Sequence, residues 1–223
     1  TTGESLFKRG YRVAKGPAPI KENMAAALIM LTSWYPDMPF LDPMCGSGTI
    51  PIEAAMIARN IAPGFNREFS CEKWDWVDEA VVEDIRNKAD EKADYDKELD
   101  IMASDVDGNM IDIAKVNAQE VGLLHDIQFK QLSVLDFKTD KINGVVVSNP
   151  PYGERLSDKQ EVRKLYKGLG RVFKPMTSWS KYFLTSDLEF DKFYGQAPTK
   201  TRKLYNGYLR TDYFQFWGKK IRK

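Results

Sequence analysis

Residues 149–152 read Asn149-Pro150-Pro151-Tyr152, directly after the apolar run Gly144-Val-Val-Val-Ser148. Two successive prolines hold the backbone extended and lack N–H donors, so the Pro150 carbonyl cannot join a continuing ladder. That carbonyl and the Asn149 side-chain oxygen can both accept from one NH2 group. An exocyclic base amine is a poor nucleophile because its lone pair is delocalised. Holding both of its hydrogens on neutral acceptors aligns the lone pair with an incoming methyl group and stabilises charge appearing on nitrogen, without a strong general base. Tyr152 supplies a ring on which an extruded base can stack.

A second loop, Asp42-Pro43-Met44-Cys45-Gly46-Ser47-Gly48-Thr49, runs into an apolar stretch. Its two glycines let the backbone approach a ligand lying across a helix N-terminus. A diphosphate does not fit: Pro51 stands where a dinucleotide loop carries its third Gly, Asp42 would repel phosphate, and no Gly-Lys-Ser/Thr follows. An acid ahead of the glycines suits a cation, such as the amino group of a bound amino-acid moiety. Asp105, with Val106 beside it, ends a second strand, where a carboxylate accepts two hydrogen bonds from ribose hydroxyls. Asp136, in Val134-Leu135-Asp136-Phe137, follows a third strand and can hold an adenine amino group, with Leu135 and Phe137 flanking the ring. Singly, each acid also fits a turn or a cap. Together with the glycine loop they outline one elongated site for an adenosine with a cationic amino-acid end.

Such a site requires several strand ends on one edge of a sheet, and the pattern supplies them. Periodicity and breakers predict helices over 24–34, 50–59, 108–121 and 159–173, and strands over 39–42, 99–104, 127–132, 144–148 and 182–185. Thr49 is placed to N-cap the second helix, with Pro51 in its first turn. Repeated βα units imply a parallel sheet wrapped by helices, with the ligand crevice beyond the carboxyl ends of the strands. Asn206-Gly207 interrupts 201–217 as a hairpin signal, so the sheet is expected to finish antiparallel. Residues 61–76 look irregular and 77–95 form a polar helix with the apolar stripe Val82, Ile85 and Ala89. An insertion at about 60–98 explains why Asp105 lies further from the glycines than the roughly twenty residues usual in dinucleotide folds.

Charge is unevenly distributed. The net charge is +1, yet residues 68–120 carry −11 and residues 154–223 carry +10. A basic C-terminal region interleaved with Tyr166, Tyr182, Tyr194, Tyr205, Tyr208, Tyr213 and Trp217 is what a nucleic-acid-facing surface needs, cations for phosphates and rings for bases. It equally fits core aromatics beside a solvated face. With His125, Cys45 and Cys71 the only His and Cys residues, no four-ligand zinc site can be assembled from those types and no disulfide scaffold is expected. No metal is expected. The nearly uncharged run 23–36 is too short to span a bilayer and no signal peptide opens the chain, so a cytoplasmic protein without membrane contact is expected.

These residues carry a resemblance. The segments Ser5-Leu-Phe-Lys-Arg-Gly-Tyr-Arg12, Ala18-Pro-Ile-Lys-Glu22, Asp42 to Thr49, Arg59-Asn-Ile-Ala-Pro-Gly64, Ser104-Asp-Val-Asp107, Asn149-Pro-Pro-Tyr-Gly-Glu-Arg-Leu156 and Lys203-Leu-Tyr-Asn-Gly207 resemble the class I S-adenosylmethionine-dependent RNA methyltransferases associated with a THUMP domain. The similarity is to the bacterial enzymes that methylate guanine N2 in large-subunit ribosomal RNA. Phe7 departs from a pattern that has His there in many members.

The resemblance implies an α/β, Rossmann-like class I methyltransferase fold. Its sheet has seven strands, mostly parallel with the last antiparallel, and helices on both faces. It implies S-adenosyl-L-methionine as cofactor and S-adenosyl-L-homocysteine as product, bound by Asp42, Pro43, Gly46, Ser47, Gly48, Thr49, Asp105, Val106, Asp136 and Asn149. Asn149, Pro150, Pro151 and Tyr152 would face the target guanine, and Lys21 and Glu22 match a segment that closes the methionine end in related enzymes. It implies ribosomal RNA as partner and a THUMP domain ahead of Thr1, absent here. Residues 1–22 are then a lead-in segment and 23–223 the methyltransferase domain. The amine could also be adenine N6 in DNA or RNA, or a glutamine side chain. A domain of this fold could also bind RNA without catalysis.

Overall fold

A computed structural model describes residues 2–13, 20–153 and 156–221. Its elements are α1 (Glu22–Met30), β1 (Phe40–Asp42), α2 (Thr49–Ala58), α3 (Glu79–Asp90), β2 (Ile101–Asp105), α4 (Gly108–Gln119), β3 (Ile127–Gln131), β4 (Val145–Ser148), α5 (Leu156–Phe173), β5 (Ser180–Thr185), α6 (Phe190–Tyr194), β6 (Lys200–Asn206) and β7 (Leu209–Phe216). The strands form one sheet in the order β3-β2-β1-β4-β5-β7-β6. Six strands point the same way, and β7 alone is reversed, inserted antiparallel between β5 and β6. Among the described residues no helix is long and apolar enough to cross a membrane.

Alternation along the central strands divides the core into two layers. Phe40, Val145, Val147, Tyr182, Leu184 and Tyr213 pack with α1, α2 and α4, whereas Leu41, Val146, Phe183, Phe214 and Phe216 pack with α5 and α6. A strand that must satisfy both layers reads as an unbroken apolar run, as 145–147 does. The lead-in segment joins the first layer: Tyr11 is fully buried, and its hydroxyl donates to Glu53 of α2 at 3.0 Å.

Several sequence expectations shift. α1 starts at Glu22, two residues before the predicted start, and ends at Met30. α3 buries none of its residues, and Ile85 of the expected stripe is 61% exposed. Its apolar spacing does not correspond to a core contact. The short helix α6, with Phe190 and Tyr194 buried, falls in a stretch that carried no element by periodicity. In the β6–β7 hairpin Asn206 pairs with Leu209, so the loop residues are Gly207 and Tyr208. Gly207 takes φ +66°, and Tyr208 is outside the positive-φ region, as a type II′ turn requires.

Candidate active site

Three loops at the carboxyl edge of the sheet are bonded to one another. Asp42 ends β1 and is 1% exposed; it accepts a hydrogen bond from Ser148 Oγ of β4 at 2.7 Å and from the Met44 N–H at 3.3 Å. Asp105 ends β2 and accepts from the Gly46 N–H at 2.9 Å and from the Asp107 N–H at 3.0 Å. The Cys45 N–H donates to the Ser104 carbonyl at 2.9 Å. One carboxylate therefore ties the glycine loop to β2, and the other ties β1 to the strand that carries Asn149. Sequence reasoning placed these acids at one edge. It missed that each acid also builds the loop beside it.

The electrostatics of Asp42 bear on a cofactor. Burial pushes its carboxyl up to about 7, partly offset by the Ser148 and Met44 hydrogen bonds, with Asp105 raising it further. Its two described donors are uncharged, so a cationic group would complete the site by removing the penalty on the ionised form. Gly46 has nothing within 4 Å of where a Cβ would stand, which leaves the loop open on that side. Gly48 has φ +82°, and a Cβ there would lie 2.9 Å from the Ala114 Cβ, so this position requires glycine twice over. These features fit an amino-acid ammonium on Asp42 with the rest of that amino-acid moiety along the glycine loop.

Thr49 is a correction. Gly48, in the left-handed conformation and without a side-chain cap, precedes the helix, and Thr49 is its first residue. The Thr49 hydroxyl instead accepts from Arg12 Nη2 at 2.8 Å. Arg12 also donates to the Ile20 carbonyl at 2.7 Å and lies 3.6 Å from Glu22, so the lead-in segment braces the first turn of α2. Ser47 is buried, with its carbonyl accepting from Asn117 at 3.1 Å. Pro43 is buried as well, while Val106 is 70% exposed at the end of β2. Asp136 is exposed in a 3₁₀ turn after β3. Phe137 corrects the expected pair of flanking residues: it is 7% exposed and packs 6.1 Å from the Phe173 ring in the core. Leu135 alone of the two is exposed.

The Asn149–Tyr152 loop leaves the end of β4. The Tyr152 hydroxyl donates to Asn149 Oδ1 at 2.5 Å, and burial pushes that phenol up to about 12, so it is a neutral donor at physiological pH. The Pro151 carbonyl accepts from the Tyr166 hydroxyl at 2.9 Å; that hydroxyl also lies 2.9 Å from Thr185 Oγ1, which accepts from the Asp187 N–H at 3.1 Å. Tyr166, fully buried in α5, thereby fixes the proline pair to the end of β5. Sequence reasoning counted Tyr166 only among the aromatics. The available signal was a hydroxyl on the buried stripe Val162, Tyr166, Leu169 and Phe173, which needs a polar partner. Of the family-like segments, Ala18, Pro19, Glu154 and Arg155 lie outside the described residues. Among the described residues no group of three or more His, Cys, Asp and Glu could hold a metal.

The arrangement can hold an amine hydrogen on Asn149 Oδ1, whose second lone pair is left after Tyr152, and the other on the Pro150 carbonyl. The family described as RMKL-like, methyltransferase domain (UPF0020) matches residues 9–215. YpsC of Bacillus subtilis (strain 168), named as a candidate RNA methyltransferase, is 55% identical over 98% of this chain and 57% of its own length. Ribosomal RNA large subunit methyltransferase K/L of Shewanella sp. (strain W3-18-1) is 39% identical over 93% of this chain and 30% of its own. The chain thus spans a little more than half of the one and less than a third of the other. Among solved structures, SMU.472, a candidate methyltransferase complexed with SAH, superposes with TM-score 0.95 at 58% identity, covering 100% of this chain and 58% of that one. A protein of Listeria monocytogenes str. 4b F2365, assigned by prediction as an N6-adenine-specific DNA methylase, gives 0.93 at 57% identity, covering 98% and 56%.

Proposed function

The chain belongs to the RMKL-like methyltransferase-domain family, and from that premise we propose that it methylates the exocyclic N2 amine of a guanine in large-subunit ribosomal RNA. S-adenosylmethionine is the cofactor of this domain and supplies an electrophilic methyl when bound. Asp42 would take its ammonium, Gly46 and Gly48 would lie along its methionine moiety, Asp105 would take the ribose and Asp136 the adenine amine, with exposed Val106 against the base.

The observation that carries the chemical reading is the pair of neutral acceptors after β4. Asn149 Oδ1 and the Pro150 carbonyl take the two amine hydrogens and so turn the nitrogen lone pair out of the base plane's conjugation. As the new N–C bond forms, positive charge grows on that nitrogen, and the two oxygens stabilise it through the hydrogens they hold. The methyl would leave the bound sulfonium with the electrons of its carbon–sulfur bond staying on sulfur. One amine proton is then lost to water, since no carboxylate is needed to take it. Tyr152 has two tasks: its hydroxyl orients Asn149, and its ring stacks on the extruded base. The Tyr166 bond to Pro151 holds the acceptors at a fixed height above the sheet edge.

The choice of ribosomal RNA is supported by the K/L relatives' names, and the choice of guanine N2 by the particular segments around 5–12 and 153–156. A second reading, adenine N6, is supported by the name given to the Listeria protein and by the same tetrapeptide, which presents two acceptors to any NH2. Mass mapping of nucleosides in ribosomal RNA from a deletion strain, with and without the intact gene restored, separates them. Loss and return of N2-methylguanosine supports the first, loss of N6-methyladenosine the second.

A further inference from the structure

The register of the last strands places an unusual surface beside the candidate active site. β5 ends at Thr185, opposite Asp212 of β7, and Asp212 lies opposite Lys203 of β6. Residues 204–211 therefore continue past the carboxyl end of β5, and at about 3.3 Å per residue the hairpin overhangs that edge by roughly 10 Å. This is the edge that carries Asn149–Tyr152. With strands about 4.8 Å apart, β7 lies roughly 10 Å to the side of β4.

Leu204 and Thr211 anchor the base of the overhang in the core, and Arg210 lies 3.3 Å from Asp212, but the remaining side chains project into solvent. Tyr208, at a turn position, has a relative exposure of 106%, and Tyr205 and Leu209 are about half exposed. Lys203 Nζ sits 5.4 Å from the centre of the Tyr205 ring, and Arg210 is opposite Tyr205. Rings and cations thus alternate on one projecting arm. Arg202, by contrast, is half-buried, with Nε shielded from solvent, on the alternate face. An aromatic at a two-residue turn gives no packing and is not demanded by the backbone, so its occurrence points outward. Base faces stack on such rings without sequence preference, and Lys and Arg meet the phosphates.

We infer that the tip of the β6–β7 hairpin, Lys203, Tyr205, Tyr208 and Arg210, is a docking arm for unpaired RNA nucleotides flanking the target base. This rests on the RNA reading of the site and adds where the strand lies. The test is fluorescence anisotropy with a labelled single-stranded RNA of mixed sequence, beside calorimetry with S-adenosylhomocysteine. Tyr205→Ala with Tyr208→Ala should weaken RNA binding by about tenfold or more. Lys203→Gln with Arg210→Gln should flatten the dependence of log affinity on log salt by about 0.7 for each lost phosphate contact. S-adenosylhomocysteine affinity should not change in either variant, which shows that the domain is folded. Unchanged RNA affinity in the tyrosine variant overturns the arm. If at the same time the deletion strain lacks N2-methylguanosine, the function reading stands and the arm alone fails. If wild type binds no RNA and the strain lacks no methylated nucleoside, both fail.

Discussion

The Tyr152 hydroxyl is hydrogen-bonded to the side-chain oxygen of Asn149, three residues before it in the same loop. The ring at position 152 therefore does more than offer a stacking face. It also holds the side chain of the proposed acceptor, and the Tyr152→Phe variant separates these tasks. Phenylalanine keeps the stacking surface and loses the orienting bond, so turnover should fall by roughly three- to tenfold, the value of one neutral hydrogen bond, while the KM for RNA stays level. Tyr152→Ala should raise the KM as well. Equal kinetics for wild type and Tyr152→Phe would remove the hydroxyl from the account.

Tyr166 acts through the loop, since its hydroxyl reaches the Pro151 carbonyl and Thr185. Tyr166→Phe should lower kcat by about tenfold through misplacement of the acceptors, with S-adenosylhomocysteine affinity unchanged. Thr185→Val should do the same, and the two together should cost little more than either, because they sit on one chain of hydrogen bonds. Additive losses would indicate two separate structural effects.

Asp105 has three calls on its carboxylate, the Gly46 N–H, the Asp107 N–H and the proposed ribose. Asp105→Ala should weaken cofactor binding by at least about tenfold, since charge-assisted hydrogen bonds contribute roughly 1.5–3 kcal/mol each. Asp105→Asn keeps an acceptor for Gly46 and should retain part of the affinity. Calorimetric titration giving wild-type affinity for the alanine variant would remove Asp105 from the site.

Asp42 predicts a pH dependence. Its folded-state pKa, about 7, lies above the ordinary 3.8, so the folded protein holds a proton that the unfolded chain releases. That contribution to stability is present below the ordinary carboxylate range and is lost as pH rises through about 7. Asp42→Asn should therefore gain in melting temperature relative to wild type as pH rises. A cationic ligand reverses the shift, so cofactor affinity of wild type should increase as pH climbs through about 7, with proton release seen as a buffer-dependent binding enthalpy. A pH-independent affinity, identical in slope to Asp42→Asn, would mean that no cation meets this carboxylate.

What could be read in advance follows from where the information lies. Asp42, Asp105 and Asn149 were legible because each follows a short apolar strand, and a parallel sheet sends all such ends to one edge. Ser148 and Tyr166 were not, because the bonds that matter join residues 106 and 15 positions apart, and neither position looks unusual within its own strand or helix. Thr49 was misread as a cap because Ser and Thr before a helix so often cap it; here Gly48 turns the chain and Arg12 claims the hydroxyl. Phe137 was misread because a ring beside an acid suits a base pocket, whereas the core takes it. The hairpin was placed correctly, yet its turn lies one residue later than the Asn-Gly signal implied, and that offset is what puts Tyr208 at the tip.

The central claim is that neutral acceptors at Asn149 and Pro150 hold an exocyclic guanine amine for methyl transfer. The most direct measurement restores a deletion strain with the intact gene carrying Asn149→Ala and quantifies ribosomal RNA nucleosides by mass spectrometry, beside calorimetry of S-adenosylhomocysteine binding to the same variant. The expected result is N2-methylguanosine restored by the wild-type gene, its formation slowed by about a hundredfold or more in the variant, as when one preorganised polar group is deleted, and cofactor affinity nearly unchanged. Near-normal methylation by Asn149→Ala, or N6-methyladenosine as the restored product, would contradict it.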